Sequence, residues 1–178
     1  MPLAVPPAGP RPRSVGLGLA LAAPQAFAQT DYLWSGSATS SAWDTPGNWQ
    51  GNTAPPNATG TYDARIDIDA GGTNQPIYTA AQGNQDYANT NGRGLVIGSG
   101  SNGSLTITGG SFSTSGSGTA DVLGNTTGTG TLVINGGSYT SGTPGLEFGV
   151  HEGGSGVLTL TAARPPSPTW ISRRSRPR

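Results

Sequence analysis

The two carboxylates whose spacing best suits chemistry are Asp67 and Asp69, which stand two positions apart in the segment TYDARIDIDA. Alternate side chains of a strand share one face, so these carboxylates would lie roughly 7 Å apart. Paired carboxylates at such a separation can hydrolyse a glycosidic bond or contribute to a calcium site. The same alternation also describes a half-buried strand, with Ile66 and Ile68 facing inward and acids facing water. We favour the surface interpretation and predict no catalytic residue here.

His151 is the single histidine of the chain, and Glu152 follows it. Such a pair can shuttle protons, but no nucleophile or second carboxylate stands beside it in the sequence. The chain has no Cys, which excludes disulfides, thiolate metal ligands and a cysteine nucleophile. We therefore expect the pair to lie in a solvated loop, and we predict no metal ligand, no cofactor and no enzymatic activity.

Three tryptophans, Trp34, Trp43 and Trp49, fall within sixteen residues of a polar segment. Turn-forming residues separate them, including Asp-Thr-Pro-Gly at 44–47. One interpretation is a cap whose indoles cover the end of the next structural unit. The other is a platform on which sugar rings stack, which makes these three residues the candidates for ligand binding.

The charges are segregated along the chain although the formal net charge is zero. All nine basic residues are Arg, and seven of them lie in the first 14 or the last 15 positions. All nine acids lie between Asp31 and Glu152, where only Arg65 and Arg93 oppose them, so this region carries a net charge of −7. Such a region repels nucleic acid and anionic lipid, and no nucleic-acid partner is predicted.

Residues 1–28 have the features of a secretory signal peptide. Arg11 and Arg13 supply a positive flank, and residues 15–23 supply a short apolar run. Small residues at positions 26 and 28 form a cleavage site, so we predict cleavage after Ala28. The apolar run is far shorter than the roughly 20 residues that cross a bilayer. We also predict no membrane-spanning segment in the mature chain.

A repeat of 26 to 27 residues is the dominant pattern of the chain. Each copy carries two aliphatic residues two positions apart, preceded by Gly, and these pairs are Leu105/Ile107, Leu132/Ile134 and Leu158/Leu160. In the first two copies Gly-Gly-Ser and an aromatic residue follow, Phe112 or Tyr139. The two-residue period predicts short strands with aliphatics inward and hydroxyls outward, and the glycines predict tight corners.

One winding with two or three inward aliphatics cannot bury its own apolar face, so it must stack on similar windings. The sequence therefore predicts an all-β fold, a short parallel β-solenoid (β-helix) with a Trp-rich N-terminal cap and an irregular tail. We divide the chain into a signal peptide (1–28), a Trp-rich capping segment with the first strands (29–91), β-solenoid repeats (92–161) and an irregular basic tail (162–178). The unpaired last edge predicts self-association through the open solenoid end.

The repeat pattern stops after Thr161, where the chain continues as AARPPSPTWISRRSRPR. Pro165, Pro166 and Pro168 lack the N–H donors of a strand ladder. A frameshift explains the change, because one added nucleotide in a permitted back-translation restores Thr-Gly-Gly-Ser and an alternating strand. We interpret the tail as the product of a frameshifted, truncated gene, and the alternative is a genuine basic tail.

The residues Trp34-Ser35-Gly36 and Asn48-Trp49, followed by glycine-spaced copies such as LTITGGS, resemble the N-terminal part of passenger regions in bacterial autotransporter-like surface proteins. The repeats also resemble those of exported proteins that carry a C-terminal sorting signal, and the likeness covers residues 15–161. The resemblance implies export and a location that is extracellular, on the cell surface or associated with the outer membrane. It also implies adhesion, with glycans or a host or matrix surface as partners.

Together these observations favour a non-catalytic exported surface protein fragment, whose β-solenoid acts as a passenger or stalk for display or adhesion. The alternative is a carbohydrate-binding or polysaccharide-degrading solenoid that uses the Trp-rich head or the surface acids.

Overall fold

The computed structural model describes Met1 and residues 30–57, 59–62, 64–69, 74–89, 92–115, 119–142 and 144–161. Apart from Met1, the predicted signal peptide lies outside the described residues, and so does the predicted tail at 162–178. Within the described ranges there is no α-helix, and the strands form three parallel sheets. The predicted all-β parallel β-solenoid is therefore confirmed.

The strands are short because each one spans a single side of a narrow coil. They are β1 (Thr30–Trp34), β2 (Gly60–Tyr62), β3 (Ala64–Ile68), β4 (Ile77–Tyr78), β5 (Asn84–Tyr87), β6 (Leu95–Ile97), β7 (Gly103–Ile107), β8 (Ser111–Thr114), β9 (Asp121–Leu123), β10 (Thr129–Ile134), β11 (Ser138–Ser141), β12 (Leu146–Phe148) and β13 (Ser155–Leu160). Single-turn 3-10 helices at Pro46–Asn48, Gln50–Asn52 and Ala80–Gln82 lie in the connections.

The three sheets form the sides of the coil. Sheet 1 has the order β1-β3-β6-β9-β12, sheet 2 the order β4-β7-β10-β13, and sheet 3 the order β2-β5-β8-β11. From β3 onward the chain visits sheets 1, 2 and 3 in rotation. The strands β3–β5, β6–β8 and β9–β11 make three windings, and β12 and β13 begin a fourth.

The aliphatic pairs of the sequence repeat stack in register on sheet 2. Leu132 pairs with Leu105 on one side and with Leu158 on the other. Leu105 and Leu132 are buried, whereas Leu158 is 39% exposed because no described winding covers it. Burial of one such side chain stabilises the fold by about 1.5–3 kcal/mol. The column can form only by stacking windings, as the repeat predicts.

Sheets 1 and 3 contribute their own columns to the lumen. On sheet 1, Ile68 pairs with Ile97, which pairs with Leu123, and all three are buried. On sheet 3, Phe112 pairs with Tyr139, and the centroids of their rings are 6.1 Å apart. The aromatic residues that recur in the first two copies of the sequence repeat therefore stack on each other.

Glycine occupies the corner between sheets 1 and 2 because the backbones of two windings meet there. Gly124 has φ +75°, and a Cβ atom on it would lie 2.1 Å from the carbonyl oxygen of Ser155. That distance is far below van der Waals contact, and the left-handed φ adds backbone strain for any other residue. Only glycine can therefore hold this corner without moving the next winding.

The head of the chain follows the same coil. β1 pairs with β3 on sheet 1, Ala42 forms an isolated parallel bridge to Ile77 of β4, and β2 pairs with β5 on sheet 3. The winding thus begins before residue 92, where the sequence repeat begins. These early windings do not show as repeat copies because β4 has only two residues and β3 and β5 lack the glycine-aliphatic pattern.

Candidate functional site

The three candidate tryptophans form one buried cluster. Trp34, Trp43 and Trp49 are 3%, 0% and 1% exposed. The Trp49 ring lies edge-to-face against Trp34 at 5.0 Å and against Trp43 at 4.9 Å between ring centroids. The Trp49 indole N–H donates to the backbone carbonyl of Trp43 at 2.7 Å. This arrangement combines apolar burial with a satisfied indole donor.

Trp43 extends from this cluster into the lumen of the coil. Its ring lies 5.4 Å from that of Tyr78, 6.4 Å from that of Tyr87 and 5.8 Å from that of Phe112, measured between centroids. The indole therefore covers the hydrocarbon column at its N-terminal end, as the cap interpretation describes. A sugar ring could stack on these indoles only if the head opened, and ligand binding by the three tryptophans stays a prediction.

Asn48 positions the cluster, and its role is not visible in the sequence. The side chain is fully buried. Its Nδ2 donates to the carbonyl oxygens of Ser40 (2.7 Å) and Ala42 (3.3 Å), and its Oδ1 accepts the backbone N–H of Ala38 at 3.0 Å. One amide thus fixes the loop that carries Trp43. The sequence does not mark this Asn as buried, because its burial depends on contacts with residues that only the fold brings near.

Asp67 lies in β3 and Asp69 directly after it, and both line one small cleft, but the two carboxylates make different contacts. Asp69 accepts the backbone N–H groups of Gly100 (2.9 Å and 3.0 Å, one per carboxylate oxygen) and Ser101 (2.5 Å) in the next winding. It therefore caps a turn of the coil. Asp67 instead pairs with Arg65, with 2.5 Å between Nη2 and Oδ2.

Asp67 is the more unusual of the two carboxylates. Burial raises its pKa above the ordinary value, and this effect outweighs the opposing effect of the Arg65 guanidinium. Its Oδ1 is buried and accepts no hydrogen bond. A small cleft of about 220 Å³ lies beside it, lined also by Trp34 and Asp69. Glycoside hydrolysis needs two carboxyl groups free to act on one bond, whereas Asp69 is already held by backbone donors.

His151 and Glu152 lie in an exposed turn after β12, where a solvated loop pair was expected. The backbone N–H of His151 donates to the carbonyl of Asn125 at 2.9 Å, so the turn stacks on the equivalent turn of the preceding winding. Among the described residues, no group of three or more His, Cys, Asp or Glu side chains is close enough to bind a metal ion.

Asp121 is a buried carboxylate that the sequence does not mark as special. Its Oδ1 accepts the backbone N–H of Leu95 at 2.8 Å. Its Oδ2 accepts the hydroxyl groups of Tyr139 (2.6 Å), Ser141 (2.8 Å) and Thr114. Four donors thus contact the two carboxylate oxygens, and none of them is a cation. The carboxylate joins β9 of sheet 1 to β8 and β11 of sheet 3.

The same network affects Tyr139. Burial raises the pKa of this phenol, and the nearby Asp121 carboxylate raises it further. The phenol therefore stays neutral, and its hydroxyl donates a hydrogen bond to the carboxylate. On sheet 1, Asp121 pairs with Leu146 of the next winding, so it occupies a position that an aliphatic residue takes one winding later. This break in the column is the signal that could identify it once the register is known.

Among the described residues, no helix is long and apolar enough to cross a membrane. No protein-family model, no curated protein and no solved structure matches this chain.

Proposed function

We propose that this chain is a non-catalytic, exported surface protein whose β-solenoid serves as a stalk for display or adhesion. The observation that carries the proposal is the in-register stacking of all three sheets along one axis. Each added winding lengthens such a coil by about 4.8 Å without changing its cross-section. A fold of this kind suits the task of holding a surface away from its anchor.

The outer surface of the coil supports the proposal by its chemistry. On sheet 2, Thr106 and Thr159 flank Val133 in one outward column. On sheet 3, Ser113 pairs with Thr140. Small hydroxyl side chains on a strand remain hydrated, and on sheet 2 only Val133 interrupts them in this column. Such a surface is consistent with a spacer exposed to water on every side.

The corners add stiffness to the same structure. The backbone N–H of Asn125 donates to the carbonyl of Gly98 at 3.0 Å, and the hydroxyl of Thr127 donates to the carbonyl of Gly100 at 3.0 Å. The loops between sheets 1 and 2 are therefore hydrogen-bonded from winding to winding, like the strands. A coil tied at its corners as well as its sides resists bending, which a stalk requires.

Export can be tested with the full chain expressed in a Gram-negative bacterium. We expect mass spectrometry to find a mature chain that begins at Gln29, and we expect antibody labelling or external protease to reach it on intact cells. A matched variant, Ala28→Arg, places a large charge at the cleavage position and should leave the precursor uncut. A wild-type chain that keeps residues 1–28 and stays in the cytoplasm would contradict the proposal.

The stalk role can be separated from the carbohydrate-binding alternative. The secreted chain is applied to an array of bacterial and host glycans and, in parallel, to immobilised matrix proteins. We expect no glycan to be bound in a way that depends on the three tryptophans, because their rings are buried in the coil. Glycan binding that Trp34→Phe abolishes while the circular dichroism spectrum is unchanged would instead support the alternative.

A further inference from the structure

The two ends of the described solenoid differ in whether other residues cover their apolar side chains and strand edges. At the N-terminal end the tryptophan cluster fills the lumen, and an antiparallel bridge between Trp34 and Trp49 occupies the outer edge of β1. At the C-terminal end β13 pairs with β10 on one side only. Around it the side chains of Phe148, Leu158 and Leu160 are 48%, 39% and 68% exposed. We call this second surface the open end, formed by β11, β12 and β13.

We propose that the open end binds the open end of a second copy of this chain, about a two-fold axis that is perpendicular to sheet 2 and passes midway between the Leu158 residues of the two β13 strands. In this arrangement the two β13 strands pair antiparallel and continue sheet 2 from one copy into the other. The dimer closes on itself because both copies use the same surface. This inference goes beyond the stalk function and does not depend on export.

The side chains of β13 are self-complementary about that axis. The pairing places Leu158 opposite Leu158 and Gly156 opposite Leu160, all at positions that register with lumen residues of β10. The absence of a side chain on Gly156 leaves space for the large Leu160 of the partner. Because alternate residues face alternate sides, every inward aliphatic of one strand meets an inward position of the other. A shift by one residue would place aliphatics against solvent-facing positions.

Charge also favours a two-fold axis through sheet 2. Glu147 of β12 is the only charged residue on the three strands of the open end. The axis carries sheet 1 of one copy over sheet 3 of the other, so each Glu147 lies on the side of the partner's β11, with Ser138 and Thr140 outward, and one strand position between β12 and that β11 is left unfilled. The two Glu147 carboxylates therefore do not meet across the interface.

Other occupants fit the open end less well. The N-terminal end of a second copy is already covered by indoles, which disfavours head-to-tail chains. The chain that follows Thr161 contains Pro165, Pro166 and Pro168 within its first seven residues, and proline lacks the N–H that a strand edge requires. A second β13 supplies both the backbone donors and the apolar side chains.

Disulfide trapping tests the register, since the natural chain has no Cys. Directly opposite residues of an antiparallel pair have Cα atoms about 4.5–5.5 Å apart, which a disulfide can span. We expect the full-length Leu158→Cys variant to form a covalent dimer under mild oxidation. In the matched Leu160→Cys variant the two sulfur-bearing residues would be separated by about 13 Å along the strands, and we expect no covalent dimer. The reverse result, a dimer for Leu160→Cys alone, would overturn the register.

The oligomeric state tests the interface itself. Analytical ultracentrifugation of the full chain should show a monomer–dimer equilibrium without larger species. Leu158→Arg places two like charges opposite each other and should weaken the dimer by more than about a hundredfold. The control Asn84→Arg adds the same charge to an exposed position of sheet 3 far from the open end and should leave the dimer unchanged.

Circular dichroism will show that each variant retains its β-sheet spectrum. A wild-type chain that stays monomeric, as it would if residues 162–178 covered the open end, would overturn the proposal. So would growth into oligomers larger than a dimer, because a two-fold contact cannot propagate.

Discussion

Leu95 donates its backbone N–H to the Oδ1 of Asp121 in the next winding, at 2.8 Å. A lumen position of sheet 1 thus holds a carboxylate where the next winding holds the aliphatic Leu146. The contact is stable because Thr114, Tyr139 and Ser141 donate to the other oxygen. The core is therefore held together by a polar clamp as well as by hydrocarbon stacking.

Replacing the clamp carboxylate tests this view. We expect Asp121→Ala to lower the free energy of unfolding by about 3 kcal/mol, because it leaves buried hydroxyls and one backbone N–H without an acceptor. Asp121→Asn keeps one carbonyl oxygen and should cost less. Urea unfolding monitored by circular dichroism measures both variants. An Asp121→Ala chain as stable as the wild type would show that the network contributes little to the fold.

Removal of the Trp43 indole should destabilise the N-terminal end. The ring fills the lumen beside Tyr78, Tyr87 and Phe112. We expect Trp43→Ala to cost about 3–5 kcal/mol, as other large-to-small core substitutions do, and Trp43→Phe to cost less. Tryptophan fluorescence and thermal unfolding will measure the change. Retention of full stability in Trp43→Ala would contradict the cap and return attention to a ligand-binding role.

Substitutions at two glycines can separate the cost of backbone strain from the cost of steric contact. Gly51 and Gly124 both have φ near +70°, at +72° and +75°. A Cβ on Gly51 meets nothing within 4 Å, whereas one on Gly124 would lie 2.1 Å from the Ser155 carbonyl oxygen. We expect Gly51→Ala to cost about 1 kcal/mol and Gly124→Ala to disrupt the last winding. Hydrogen exchange of β12 and β13 will detect the disruption, and equal effects of the two substitutions would refute the close approach.

Buried tyrosines should make the coil sensitive to alkali. Burial raises the pKa of Tyr78 from its ordinary value of 10.0 to about 12, and burial also raises the pKa of Tyr87 and Tyr139. The folded state favours the neutral phenol, so this stabilisation is complete below pH 10 and is lost as the pH rises towards 12. We expect the denaturation midpoint to fall across that interval.

Ultraviolet titration of phenolate absorbance, with and without denaturant, will measure the tyrosine transitions directly. The folded chain should show part of its phenolate signal only at higher pH than the unfolded chain. The variant Tyr78→Phe removes one late transition and serves as the control. Identical titration curves for the folded and unfolded chains would contradict the burial of these rings.

The repeat was readable in the sequence because each winding places the same side-chain types at the same positions. Leu105, Leu132 and Leu158 recur at nearly constant spacing, and stacked parallel strands are the arrangement that brings such residues into one column. The strand that carries Ile66 and Ile68 could be predicted for a similar reason, because the alternation of apolar and polar residues is visible within a few positions of the sequence.

The early windings and the polar contacts leave no such local pattern in the sequence. The bridge of Ala42 to Ile77 joins residues whose sequences are unlike those of the later copies. Asn48 and Asp121 become structural only through partners brought near by the coil. A single Asn or Asp in a sequence is equally compatible with a surface turn, so its burial cannot be read from residue type.

The amino-acid sequence by itself determined the class of fold, since periodic aliphatics and corner glycines leave a stacked coil as the way to bury apolar surface. Only the tertiary structure decided where the windings begin, which polar groups the lumen encloses and which way the tryptophans face. Those properties depend on register between distant strands, and register follows from the sum of many contacts across the coil.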